Sequence, residues 1–421
     1  MKWSTKIKAG ALQFVLFIGA IIAVLLMTFL LITYTHSFFG KKTDLTVTII
    51  QETDFGLNYG LKKGIQAGSS INLNSLTSLG VSTLVRKDFW GIFEKYSSRS
   101  KNKAIKYAKI ALVGSYAPQG KPALILRDKQ RPLIIAGNTK ITGDVFLPAQ
   151  GVRIGTIAGN SYGHNRLVYG KESKSGQDIP KLDPEVKQQI DDLINKFQNP
   201  DAEVVLRPNI EIKNSFESPT KFIRNQIIHL EGVLLTGNII ISATQKIVVE
   251  PNAILKDIIL VAPEIVIKDG VRGNFQAIAN KKIYVGRNCE LNYPTAFVVQ
   301  ERKNINVDNK PVEPKLFVDS NSTISGVLMY LDESDKQTYV PQIKIAENAI
   351  VRGEIYCTEN LELKGSVFGS VITDAFIALE NGSIYQNHLY NGAINSSLLP
   401  LEYSGIVFEN VQYKKVMKWL Y

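Results

Sequence analysis

Apolar residues in the second half of the chain recur with a step of 18. Ile247, Ile265 and Ile283 each open one short pattern: an apolar residue, another two places on, Asn or Gly at five and usually an apolar residue at eight. After Ile247 come Val249, Asn252 and Leu255. After Ile265 come Ile267, Gly270 and then Gly273, where an apolar residue is expected, and after Ile283 come Val285, Asn288 and Leu291. The pattern returns from Leu316 (Val318, Asn321, Ile324), Ile343 (Ile345, Asn348, Val351) and Phe376 (Ala378, Asn381, Ile384), with a shortened copy at Leu361 and Leu363. It also fits Leu133 (Ile135, Asn138, Ile141) and, more loosely, Ile227 (His229, Gly232, Leu235).

A spacing of two between apolar residues is strand alternation, and a fixed Asn or Gly marks a bend that needs a left-handed backbone. Each unit therefore reads as strand, bend, strand. A single unit cannot bury its apolar face, so the units stack and pair with their neighbours. The expected fold is mainly β, a parallel β-helix read as right-handed, over residues 131–397, with Asn138, Asn252, Gly270, Asn288, Asn321, Asn348 and Asn381 as its bend residues. Helical spacing of three and four is absent from these segments.

An inserted segment, 149–226, interrupts the repeat and holds a helix at 184–197. Asp183 caps it, Pro184 takes its first turn, and Val186, Ile190, Leu193, Ile194 and Phe197 form one apolar face. Its expected place is against the side of the stack or over its open end. Longer spacings put loops at 293–314 and 332–341, and the tail, 398–421, is expected to cap the last coil.

Ala11 to Tyr34 is a run of 24 uncharged residues rich in Leu, Ile, Val and Phe, long enough as a helix to cross a bilayer. Lys2, Lys6 and Lys8 precede it in a basic leader, 1–10, which favours a cytoplasmic N-terminus and a retained, single-pass anchor in the inner membrane with the rest periplasmic. Residues 43–130 read as a membrane-proximal β domain, from alternation at Thr46–Ile50 and Gly punctuation at Gly56–Leu61.

Charge sharpens this division. The net charge is +11, and residues 41–131 hold 16 Lys and Arg against 6 Asp and Glu. Arg99, Lys101, Lys103, Lys106 and Lys109 occur there with no intervening acid. Their functional reading is contact with anionic lipid head groups or a polyanion, and the alternative is a solvated strand edge. Only Tyr96 and Tyr107 are interleaved, so nucleic acid ranks below lipid.

The chemistry-bearing residues offer no catalytic set. The repeat acids Glu250, Asp269, Asp319 and Glu347 sit beside the bends, and the four histidines are scattered. No phosphate-loop, dinucleotide, serine-nucleophile or metal-ligand spacing is present, so no cofactor or metal is expected. Cys289 and Cys357 fall at different positions of their coils, and a disulfide between them is not expected.

On its period and residue classes the repeat resembles bactofilin-like, polymer-forming β-helix domains, which implies stacked coils able to join at their ends. The inserted loops and the extra domain depart from that plan. The N-terminus looks like minor pilins and pseudopilins: Lys6-Ile7-Lys8-Ala9-Gly10 and then a long apolar helix. That resemblance implies prepilin-type cleavage between Gly10 and Ala11, although Val15 stands where the usual glutamate would be. The whole chain is similar to uncharacterised bacterial envelope proteins of the same plan. The expectation is a non-enzymatic, membrane-anchored scaffold or assembly protein with protein partners and possible self-association. The alternative is a membrane-tethered carbohydrate-binding or carbohydrate-cleaving protein.

Overall fold

A computed structural model describes residues 9–74, 80–196, 206, 209–301, 313–332 and 338–421. The protein is mainly β, with parallel sheets and one long N-terminal apolar helix. It forms two compact units, Met1–Asn58 with Ile71–Val85 and Ser98–Ala108, and Tyr59–Ser70 with Arg86–Ser97 and Lys109–Tyr421.

The helix α1 runs from Ala9 to Lys63, about 82 Å at 1.5 Å per residue. It does not stop near Tyr34. Residues 46–50 and 56–61, expected as strands, are its continuation, so the β domain cannot begin at residue 43. The buried positions Ile49, Thr53, Gly56, Leu57 and Gly60 recur at helical spacing. Once an apolar helix is nucleated, each further residue adds a hydrogen bond at modest cost, which overrides the β preference of Thr and Val. Thr46, Thr48 and Thr53 also bond back to the carbonyls of Lys42, Asp44 and Ile49.

In this first unit the helix closes tightly on strand residues. A Cβ on Gly56 would lie 2.7 Å from Ser98 Oγ and from Thr83 Cγ2. Gly56→Val should therefore lift the helix away and destabilise the protein by about 2–3 kcal/mol. Hydrogen exchange at residues 49–57 in detergent-solubilised protein checks this, and unchanged protection would contradict it.

In the second unit one column of apolar residues passes from coil to coil. Ile228, Ile247, Ile265, Ile283, Leu316, Ile343, Leu361 and Phe376 stand opposite one another in parallel register. All are 3% exposed or less, so each contributes about 1.5–3 kcal/mol of burial. The first coil uses Ile228 and Leu230; Ile227 and His229, expected as its inward pair, face outward. A bulge between Asn225 and Ile227 shifts the register there.

Gly270, Asn288, Asn321, Asn348 and Asn381 have left-handed φ between 50° and 77°. Asn138 and Asn252 do not. Gly137, at φ 62°, makes the first of these bends, and Asn252 instead accepts the N–H of Gly232, itself at φ 60°, with its side-chain oxygen. Asn381 belongs to no coil: Ser366–Glu380 and Ser383–Gln386 form an antiparallel hairpin closed by Asn381-Gly382. Both turn residues have positive φ, the requirement of a two-residue turn that follows strand twist.

The order of coils in space differs from their order in sequence. Leu124–Leu126 pairs in parallel with Val371–Thr373, and then with Val145–Leu147, which pairs with Glu172–Lys174. Leu133–Ala136 pairs with His388–Tyr390. Residues 124–174 thus extend the stack beyond its last C-terminal coil, while Glu211–Asn214 and Lys221–Leu230 begin it at the other end. The unit at Leu133 is no neighbour of the one at Ile228.

The helix α2, Pro184–Lys196, lies in the segment that joins the two ends. Asp183 caps it through Glu185 N, at 2.8 Å. Val186, Ile190, Leu193 and Ile194 are buried with Ile259, Ile278 and Val298 on the outer face of the coils. Phe197 lies outside the described residues.

The tail does not cap the stack. Lys414–Leu420 pairs antiparallel with Ile110–Ser115, and Ser404–Gly405 pairs with Ser115 and Tyr116. These free strand edges are completed from the C-terminus. The insertion expected from Tyr293 starts later, because Glu290–Gln300 is one strand. Residues 302–312 and 333–337 of the expected loops lie outside the described residues.

Candidate functional site

From Gly10 to Asp44 every described side chain of α1 is exposed, although the stretch is almost wholly apolar up to Phe39. Leu16, Phe17, Leu30 and Leu31 are each 60% exposed or more. About 20 such residues suffice to cross a bilayer core. Gly10 and Ala11 stand exposed in the first turn. Beyond Asp44 the same helix acquires a buried face, so one rigid element has a half suited to lipid and a half suited to a protein core.

The basic residues share one hairpin, Phe93–Asn102 with Ile105–Tyr116, turned at Lys103 with φ 50°. Arg99, Lys101, Lys103 and Lys106 are exposed, whereas Ser98 and Ser100 alternate inward. Lys109 is half-buried, with Nζ 5.4 Å from the centre of the Trp419 ring. The cluster therefore offers four cations to solvent and uses the fifth in packing.

A second constellation escaped sequence reading. Gln300 stands opposite Leu331, Tyr330 opposite Cys357, Cys357 opposite Thr373 and Thr373 opposite Leu126. Just beyond these pairs come Glu301, Asp332 and Arg127, each directly after its strand, and Glu359 and Asp374, which lie within longer strands, Glu359 at the register irregularity between Cys357 and Asn360. Counting from the 18-residue anchors misses them, because insertions of different length precede them. The useful signal, an acid or base directly after a strand, marks Glu301, Asp332 and Arg127 but not Glu359 or Asp374. The acids expected beside the bends serve structure: Asp269 accepts Arg287 N at 2.9 Å, and Asp319 accepts Tyr284 Oη at 3.0 Å.

At Glu359 and Asp374 a groove of about 550 Å³ opens. Asp374, nearly buried, accepts Arg127 at 2.9 Å and also binds Lys129. Glu359 is 8% exposed and accepts Thr338 Oγ1 at 2.8 Å on one oxygen. Its other oxygen, Oε1, has no hydrogen-bond partner among the described residues. Burial and the neighbouring Asp332 carboxyl push Glu359 up to about 7, against the pull of Thr338 and Gln342. Glu301 accepts Tyr330 Oη at 2.9 Å and Lys315 Nζ at 3.0 Å.

Glu359 makes stability depend on pH. Unfolded, it loses its proton near pH 4.3; folded, it holds the proton to about 7. The native state binds the extra proton between those values, so stability falls as pH rises through that window and is lowest above it. Glu359→Gln should stabilise the protein by about 3 kcal/mol at pH 8 and change little at pH 4. Thermal melts at the two pH values check this, and equal shifts at both would contradict it.

Cys289 and Cys357 are unpaired and buried, and burial raises both thiols, Cys357 to about 12. Neither is poised as a nucleophile. Among the described residues no group of three His, Cys, Asp or Glu could hold a metal ion. No protein-family model, curated protein or solved structure matches the chain.

Proposed function

We propose that this protein is a non-enzymatic, membrane-anchored assembly scaffold of the bacterial envelope, in a pilus-like or secretion apparatus. The observation that carries this reading is α1: its exposed apolar half suits a membrane, and its buried half fastens it to a folded unit. A single-pass protein needs only the first half to stay in the membrane. Rigid continuation through residue 58 supports a role in which position relative to the membrane matters.

In this reading the N-terminus is cytoplasmic and the remainder periplasmic, as Lys2, Lys6 and Lys8 favour. The stacked coils form a right-handed parallel β-helix that presents assembly surfaces. The hairpin cations Arg99, Lys101, Lys103 and Lys106 touch anionic head groups, each contributing about 1 kcal/mol. Gly10–Ala11 is the processing point if a prepilin-type peptidase acts.

Single cysteines test the topology, because the native thiols are buried. In intact cells with a permeable outer membrane, an impermeant thiol reagent should label Lys106→Cys and leave Ser4→Cys unlabelled. The reverse pattern would overturn the orientation, and recovery of the full chain in the soluble fraction would overturn the anchor.

A further inference from the structure

The geometry points to the groove at Arg127, Glu359 and Asp374 as a binding site for an acidic, uronate-bearing polysaccharide. Its floor and rim differ in chemistry. Nearly buried Glu359 and Asp374 line it with Asn360 and Gln130; the Asn360 amide already donates to the Thr338 and Val340 carbonyls, so the carboxyl oxygens are the acceptors offered to ring hydroxyls. Glu359 Oε1 borders the groove on a buried side chain beside the Asp332 carboxyl and meets no donor at hydrogen-bond geometry among the described residues. A carboxylate left so costs free energy until a proton or a hydroxyl reaches it.

The rim carries Arg127, Lys129 and Arg131, with Asp128 among them turned to the backbone N–H groups of Gln130 and Ala149. Lys129 and Arg127 remain 44% and 39% exposed while holding Asp374, and Arg131 is exposed beside them. They face the substituents that distinguish an acidic sugar from a neutral one. Tyr339, 53% exposed, lines the same groove and offers an apolar ring face with a polar tip. The strands that carry Glu359 and Asp374 and lead into Arg127 are about 4.8 Å apart, a spacing that suits an extended polymer of rings. A peptide would be held mainly by an open strand edge, and the groove is built from side chains.

Calorimetry on the detergent-solubilised full chain tests this with a hexamer of galacturonate, a glucose hexamer and polyglutamate as probes. The galacturonate hexamer should bind at least tenfold more tightly than either of the others. Tyr339→Ala and Arg131→Ala should each weaken it at least tenfold without lowering the melting temperature. Glu359→Gln should retain binding, because the amide still meets a hydroxyl. Absence of galacturonate binding would overturn the proposal. So would equal binding of polyglutamate, or affinity indifferent to the rim variants. None of these outcomes bears on the anchor.

Discussion

Gly353→Ala should destabilise the protein by about 3–5 kcal/mol. Gly326, Gly353 and Gly369 stand directly opposite one another in three consecutive coils. Their φ values of 145°, 147° and 157° lie where side chains are rarely accommodated. Space forbids a side chain as well: a Cβ on each would overlap the carbonyl oxygen of the residue opposite it in the preceding coil, Thr295, Gly326 and Gly353 in turn. Neighbouring coils cannot separate to make room without losing the ladder on both sides. Gly382→Ala is the control, since Gly382 has φ 76° but open space around it. It should cost about 1 kcal/mol, the backbone term alone. Urea unfolding of the two variants would show the gap, and equal losses would mean that the column does not set coil spacing.

Glu354→Ala should cost about 3–5 kcal/mol. The Glu354 carboxylate, 1% exposed, accepts Ile406 N at 2.7 Å and Lys121 Nζ at 2.5 Å. Gly405 packs so closely on it that a Cβ there would overlap the carboxylate. Truncation strands the Lys121 ammonium, 11% exposed, beside the Tyr403 ring and leaves a buried N–H without an acceptor. The Ser404–Gly405 pairing should loosen with it. Because the penalty comes from the stranded charge, Glu354→Leu combined with Lys121→Met should recover much of the loss. Failure of the double variant to recover would show that the Ile406 contact dominates.

The stacking register is legible because burial inside a coil enforces strict alternation, with a step of 18 from Ile247 to Ile283 and again from Ile343 to Leu361. α2 was legible because its cap, its proline and its apolar stripe agree. Residues 46–61 misled because β-branched residues and glycines were weighed by local preference, while the helix before them decides their conformation. The hairpin at Asn381-Gly382 satisfied the coil pattern, since a two-residue turn and a coil bend both need a left-handed Asn or Gly. Placement of residues 124–174 at the far end depends on pairing between segments about 250 residues apart, and no local spacing encodes that. The tail carries alternation but no label for its partner strand.

The candidate sites divide along the same line. The anchor and the basic run are continuous in sequence and could be read directly. The groove gathers short runs from several coils whose insertions differ in length, so Glu359, Asp374 and Arg127 become neighbours only once the register is known. The glycine column shares this origin: Gly326, Gly353 and Gly369 come opposite one another only once the coils are in register, and Gly273 belongs to a different column, opposite Leu255 and Leu291.

As we propose, the exposed apolar half of α1 docks within the membrane in an assembly. A photoreactive residue placed at Phe17 or Leu30 of the full chain, activated in the native cell membrane, tests it most directly. Discrete adducts with a second copy of this chain or with one defined membrane protein are expected, repeated at both positions. Adducts with lipid alone, together with recovery of the protein as an isolated monomer, would contradict it.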